Sequence, residues 1–305
     1  MASTAPDAFA PGRPVERSGA SLTDGLLLAM AVIWGVNYSV VKYGTLEIAP
    51  LAYNGARIGL AAVALLLISL CFPAGRPSTR DAGALVALGM LGNGLYQLCF
   101  IEGIARSRVA TVALVFAATP AFIAVAGRVR GSEHVSRRAW SGILLQLGGI
   151  AFVVLGASAA STRGDTPLGA FLILLGATCW AAYSVYVKPY TDRIPAIHVG
   201  ALTLGGGALL VVLAGLPSML STPWSTMPAP MWGAVLYSGL GAMVVANLFW
   251  YHGVRVLGPT RTAMYSNLQP LIALGVAWMA LGEVPTPWQW TGAATIMTGL
   301  VLSRT

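Results

Sequence analysis

WGVNYSVVK, residues 34–42, has a counterpart in WAAYSVYVK, residues 180–188, 146 positions farther along the chain. Tryptophan stands first, valine eighth and lysine ninth in both. Each nonapeptide lies inside an apolar run of about 20 residues, the length that crosses a hydrocarbon core of roughly 30 Å. The likeness extends past the motif. Shifting the second half back by 150 positions superposes Gly103 on Gly253, Ala113 on Ala263, Pro120 on Pro270, Glu133 on Glu283, Trp140 on Trp290, Gly142 on Gly292 and Gly149 on Gly299. The change from 146 to 150 is an ordinary loop insertion. The chain therefore reads as two similar units, residues 24–157 and 166–303.

Composition says what kind of units these are. Of 305 residues, 56% are hydrophobic and 9% are charged, against roughly 25% charged in a soluble domain. Eighteen Lys/Arg and ten Asp/Glu cannot cover a soluble surface of this size, so lipid must cover it. Ten apolar runs are long enough to span: 24–46, 50–72, 81–104, 107–128, 137–157, 166–188, 195–216, 231–255, 259–280 and 287–303. Their connections are short and marked by Pro or Gly, as in PAGRPS at 73–78 and GPT at 258–260. The expected fold is an all-α membrane protein of ten transmembrane helices. Five spans per unit is an odd number, so the second unit enters the membrane from the opposite side. The two units then form inverted five-helix repeats, an architecture of carriers that work by alternating access. Residues 1–20, rich in Ala, Pro and Ser, read as a loose tail, and no signal-peptide cleavage pattern precedes the first run.

The net charge of +8 is a matter of topology. Arg13, Arg17, Arg76, Arg80, Arg128, Arg130, Arg137, Arg138 and Arg193 fall on the side of the termini, whereas Arg106, Arg108 and Arg163 fall on the other. The positive-inside rule puts both termini in the cytoplasm and removes nucleic acid as a partner. Cys71, Cys99 and Cys179 have no metal or redox spacing, and no cofactor or metal site is expected.

Taken together, the paired five-span units, the WG-x-N/Y start of the first helix, the midspan prolines in ATP (118–120) and LQP (268–270), and LGE at 281–283 resemble the EamA-type drug/metabolite transporter superfamily. GSE at 131–133 is a variant of that last motif. The resemblance covers the chain from about residue 24. It implies a secondary carrier of the inner, or cytoplasmic, membrane, commonly an exporter of amino acids or small metabolites.

In such a fold the substrate site lies near the midplane between the halves. Trp34 is the eleventh residue of its span and Trp180 is similarly central, whereas interfacial tryptophans belong at span ends. Asn37 and Tyr38 share a helix face with Trp34, as Tyr183 and Ser184 do with Trp180. These trios line a cavity or pack as aromatic core. In the third span Asn93, Tyr96, Gln97 and Phe100 fall at i, i+3, i+4 and i+7. Asn247 and Trp250 repeat the pattern of Gln97 and Phe100 in the eighth span. These amides face a cavity or tie helices together. Pro120 and Pro270 each remove a helical hydrogen bond and kink their helices. Thr119, Asn267 and Gln269 beside them either pair with the freed carbonyls or face substrate, and Tyr265 lies a turn away.

Lys42 and Lys188 end the twin motifs on opposite sides of the membrane and are read as gate markers or as interfacial snorkellers. Arg57, seven residues into the second span, either snorkels to the surface or pairs with an anionic group such as a substrate carboxylate. All ten acidic residues lie at span ends, in loops or in the tail. A proton-coupled carrier keeps a midspan carboxylate, so facilitated diffusion or exchange is the simpler mechanism. Aromatics and amides suit a neutral or zwitterionic solute, aromatic amino acids included, better than a polyanion. The alternatives are a proton-coupled drug or metabolite efflux carrier and, in another class, a membrane scaffold or an intramembrane enzyme. No HExxH motif, paired midspan aspartates or phosphate-cradling loop supports an enzyme, and no catalytic residue is assigned. The partners are then a small-molecule substrate and membrane lipid, with the oligomeric state open.

Overall fold

The computed structural model describes residues 17–72, 75–131, 136–159 and 165–304. Residues 1–16 of the expected tail, Glu133 and His134 of the GSE loop, and Arg163 lie outside the described residues. The chain is all-helical among the described residues: α1 (Arg17–Glu47), α2 (Pro50–Cys71), α3 (Thr79–Ala105), α4 (Val109–Arg130), α5 (Arg137–Ala159), α6 (Pro167–Thr191), α7 (Ala196–Ser221), α8 (Ala229–Leu257), α9 (259–281) and α10 (Pro287–Arg304). The first eight hold segments long and apolar enough to cross a membrane by length and composition. α9 is broken into two α-helical pieces by a 3-10 turn at Ser266–Leu268, and α10 has 18 residues.

Helix pairing follows a simple rule. α5 packs along α10 and α2 along α7; α3 meets α6 and α7, and α8 meets α1 and α2; α1 meets α9, and α4 meets α6 and α9. Exchanging α1–α5 for α6–α10 in order returns the same set of neighbours. Small residues allow the closest approaches. A Cβ on Gly89 of α3 would collide with the Thr203 backbone of α7, and one on Gly206 with the backbone of Val86. Glycines matched by the 150-residue shift face each other across α5 and α10, where a Cβ on Gly299 would lie 2.6 Å from the Gly142 carbonyl and one on Gly149 2.9 Å from that of Gly292. Leucines on the outer faces, such as Leu67, Leu144, Leu213 and Leu271, are exposed, as a lipid-facing surface requires.

Four helices depart from regular α geometry. α4 breaks at Ala118, where Pro120 cannot donate to Phe116 O, and the Thr119 hydroxyl donates to that carbonyl instead at 2.5 Å. Beside Pro270, Asn267 Nδ2 donates to Met264 O at 2.6 Å. Thr119 thus pairs with the carbonyl that Pro120 frees and also lines the central cavity, whereas Asn267 bonds Met264 O rather than Ser266 O, the carbonyl that Pro270 frees. α3 and α8 each widen into a π-helical stretch, Met90–Leu95 and Tyr237–Val245. Such wide turns are rare in helices and frequent at functional sites.

Candidate functional site

The interruptions in α3, α4, α8 and α9 surround one central cavity. Its walls are Trp34, Asn37 and Tyr38 of α1, Arg57 of α2, Asn93, Tyr96, Gln97 and Phe100 of α3, and Phe116 and Thr119 of α4. Trp180 of α6, Met243 and Asn247 of α8, and Ser266 and Gln269 of α9 complete them. Helices from both sequence units contribute, while α5, α7 and α10 do not.

One wall is aromatic. The Trp34 ring meets Trp180 edge-on at 5.9 Å between centroids and Trp250 at 5.8 Å; Trp180 and Trp250 lie 5.4 Å apart. Tyr96 approaches Trp180 at 5.3 Å and Phe116 at 5.9 Å. Trp34 Nε1 donates to Ala242 O at 2.9 Å, which ties α1 to α8. Tyr38 donates to Gln269 Oε1 at 3.2 Å, which ties α1 to α9 beside the Pro270 kink.

A polar part of the lining holds a cation. Arg57 is wholly buried, so of its two sequence readings the snorkelling one does not describe it. Its Nε donates to Asn54 Oδ1 at 3.0 Å, Nη1 to Ser238 Oγ at 3.0 Å and Nη2 to Gln97 Oε1 at 2.6 Å. Gln97 Nε2 in turn reaches Met243 Sδ at 3.4 Å. The guanidinium lies 5.9 Å from the Phe100 ring centroid. Among the described residues no Asp or Glu lines the cavity.

Ten residues singled out from the sequence thus meet around this space: Trp34, Asn37, Tyr38, Asn93, Tyr96, Gln97, Phe100, Trp180, Asn247 and Gln269. Four others sit elsewhere. Tyr183 hydrogen-bonds Tyr251 at 2.7 Å, and Tyr251 bonds Thr203 at 3.0 Å, behind the aromatic wall. Ser184 turns back onto Trp180 O at 2.7 Å. Trp250 backs Trp34 and Trp180 without being part of the lining. Tyr265 donates to the Asp24 carboxylate and borders a separate depression with Leu257, Arg261 and Met264. The trio on α1 therefore shares the cavity, and from that on α6 only Trp180 does. Phe116, Met243 and Ser266 were not legible one by one. The 150-residue shift pairs Asn93 with Met243, Phe116 with Ser266 and Thr119 with Gln269, and would have found them.

The two motif-ending lysines differ sharply. Lys42 is buried, and its Nζ donates to the carbonyls of Ile104 at 3.0 Å, Ala105 at 3.3 Å and Ser107 at 2.7 Å, capping the C-terminal end of α3. At the same end Val109 N donates to Glu283 at 2.9 Å, Arg108 N to Asp165 at 2.9 Å, Arg108 Nη2 to Val284 O at 2.6 Å, and Gln289 Nε2 to Thr111 at 3.0 Å. Burial pushes the Glu283 carboxyl above the usual carboxylate range. Lys188, at the other end, is partly exposed and pairs with Asp192 one turn along its own helix. Arg193 beside it forks onto Asp81 at 2.6 and 2.7 Å, an ion pair that raises the Arg193 pKa further.

The chain resembles known transporters over most of its length. The chain is 27% identical over 283 residues to the uncharacterized inner membrane transporter YedA of Escherichia coli (strain K12), covering 91% of this chain and 89% of that one. It is 25% identical over 279 residues to a probable terminal-alkyne amino-acid exporter of Streptantibioticus cattleyicolor, covering 90% and 91%. It is 24% identical over 280 residues to the uncharacterized transporter YyaM of Bacillus subtilis (strain 168), covering 90% and 91%. A solved crystal structure aligns with a TM-score of 0.67 at 19% identity over 94% of this chain and 97% of that one, a likeness of fold. The EamA-like transporter family matches residues 21–155 and again 167–305. With both halves of the chain matched, this multi-pass membrane protein belongs to the EamA-like transporter family.

Proposed function

We propose that this transporter is a secondary carrier that moves small neutral or zwitterionic metabolites, amino acids foremost, aromatic ones included, across the inner membrane by alternating access, as an exporter, facilitator or exchanger. Its ten helices are ten transmembrane spans in two inverted five-helix repeats, 24–157 and 166–303, with both termini cytoplasmic. The observation that carries the reading is the cavity itself. It sits between the two units, draws its walls from both, and combines aromatic rings with carboxamides. The neighbour pattern that survives exchange of α1–α5 with α6–α10 supports the repeat. The resemblance to a probable amino-acid exporter supports the substrate class.

The lysines are the gates. In this reading the Lys42 hydrogen bonds to the end of α3 are what close that end of the cavity. The counterpart of residues 104–107 under the 150-residue shift is 254–257, the C-terminal end of α8. In the opposite conformation Lys188 leaves Asp192 and caps those carbonyls, while Lys42 releases α3. Among the described residues no acidic side chain lines the cavity to carry a proton, so solute gradients drive the cycle.

Purified protein in liposomes tests the reading. It accelerates movement of at least one amino acid from a panel, with or without a pH gradient. Folded protein that moves none of them would count against amino acids as cargo, and accumulation driven by an imposed proton gradient would overturn the uncoupled mechanism.

A further inference from the structure

We infer that Arg57 is the anion-binding pole of the central cavity, and that the cargo presents a single carboxylate to it. This rests on the carrier reading and sharpens it. Three observations carry the step. First, Arg57 is fully buried among membrane helices, yet every hydrogen-bond partner it has among the described residues is a neutral oxygen, on Asn54, Ser238 and Gln97, and its other neighbours are the uncharged rings of Tyr53 and Phe100. A guanidinium has five N–H donors, and three are used. A buried cation without a countercharge is costly, and an ionisable group inside a membrane bundle marks a substrate path more often than a packing site.

Second, Arg57 has no charged counterpart in the other half. Offsets from 146 to 150 place its match within TLGGG, residues 203–207. The cation is an addition to one wall, not a requirement of the repeat. Third, the same cavity offers oxygens without donors. The amide Oδ1 atoms of Asn37 and Asn247 are buried and accept no hydrogen bond. A carboxylate bound by Arg57 and an ammonium bound by these oxygens describe the two ends of an α-amino acid, with its side chain against Tyr38, Tyr96 and Phe116. One cation suits one carboxylate; a phosphate ester or dicarboxylate would bring a second negative charge into a site with nothing to meet it.

Arg57 also ties α2 to α3 and α8, and the experiment separates that duty from ligand binding. L-phenylalanine, phenethylamine (no carboxylate) and 3-phenylpropionate (no ammonium) are titrated against the detergent-purified full chain, with binding read by calorimetry. The wild type is expected to bind phenylalanine and phenylpropionate, and phenethylamine at least about tenfold more weakly, since a hydrogen-bonded charge pair contributes about that factor or more. Arg57→Gln is expected to erase the preference. Phenethylamine bound as tightly as phenylalanine overturns the inference, and that comparison needs no variant. A carboxylate preference that survives in Arg57→Gln, folded with an unchanged melting temperature, overturns it equally. If none of the three binds while other solutes cross in liposomes, the inference falls and the carrier stands. If no solute crosses at all, both fall.

Discussion

Replacing Lys42 by methionine keeps the unbranched side chain out to Cε and deletes its ammonium. The three carbonyls that Nζ now caps, on Ile104, Ala105 and Ser107, lose a charged donor. Ile104 O retains the Ser107 N–H at 3.3 Å, which leaves two carbonyls wanting a partner. An unsatisfied buried acceptor costs about 1–3 kcal/mol, and removal of the buried ammonium refunds part of that through relieved desolvation. A net bias of roughly 2–4 kcal/mol against the Lys42-closed conformation follows, or about thirtyfold to several hundredfold in the conformational equilibrium. Ser107 is fully buried behind the cap. In a background whose native cysteines, Cys71, Cys99 and Cys179, are replaced, a cysteine at position 107 should react with a membrane-impermeant maleimide far faster in Lys42→Met than in the parent. Lys188→Met should act in the opposite sense: it removes only an exposed i,i+4 pair here, worth about 0.5 kcal/mol, and deprives the opposite conformation of its cap. Equal labelling in parent and Lys42→Met, or faster labelling in Lys188→Met, would refute the exchange of caps.

Three further outcomes are open to direct measurement. Gly89→Ala should push α3 from α7 and abolish folding or lower the melting temperature severely, whereas Gly83→Ala, with nothing within 4 Å of the new Cβ, should be neutral; equal melting temperatures would contradict the close crossing. Because burial raises the Glu283 pKa, the folded state holds that proton more tightly than the unfolded one, and stability falls as pH rises from the ordinary carboxylate value through the raised one. Glu283→Gln keeps an oxygen for Val109 N–H, so its melting temperature should exceed that of the wild type near neutral pH and converge with it in acid; parallel pH curves would show that Glu283 does not titrate this way. Trp34→Ala should reduce flux of L-phenylalanine by about tenfold or more while costing less than the roughly 3–5 kcal/mol of a fully buried aromatic, since one face of Trp34 borders the cavity. Undiminished flux would reduce Trp34 to packing.

What could be read from the sequence was what repeats or alternates. The apolar runs have a length that only a membrane demands, and Asn93, Tyr96, Gln97 and Phe100 reveal their common face because helical spacing puts them there. Arg57 resisted reading because a cation near a span end obeys two rules at once, reaching for water or pairing inside. Only the acceptors on Asn54, Gln97 and Ser238, from α2, α3 and α8, decide between them. Tyr183 had the right residue type and depth, but a rotation of one helix position separates a cavity wall from the layer behind it; Tyr265 instead pairs with Asp24 beside a separate depression. In α3 and α8 the π-helical stretches at Met90–Leu95 and Tyr237–Val245 shift the helical register, and no local propensity announces them.

The lone guanidinium in the cavity wall also has an electrical meaning. Arg57 stays with the protein and returns at the end of each cycle, so the charge that crosses the membrane is the cargo's alone. A zwitterion that neutralises Arg57 with its carboxylate still brings its own ammonium, and its passage moves no net charge. A membrane potential of about 100 mV, worth roughly 2.3 kcal/mol for each elementary charge, then neither pulls such a solute through nor holds it back. A monoanion taken by the same pole would carry current. The residue that discriminates by chemistry thereby sets whether the cell's voltage has any grip on the traffic.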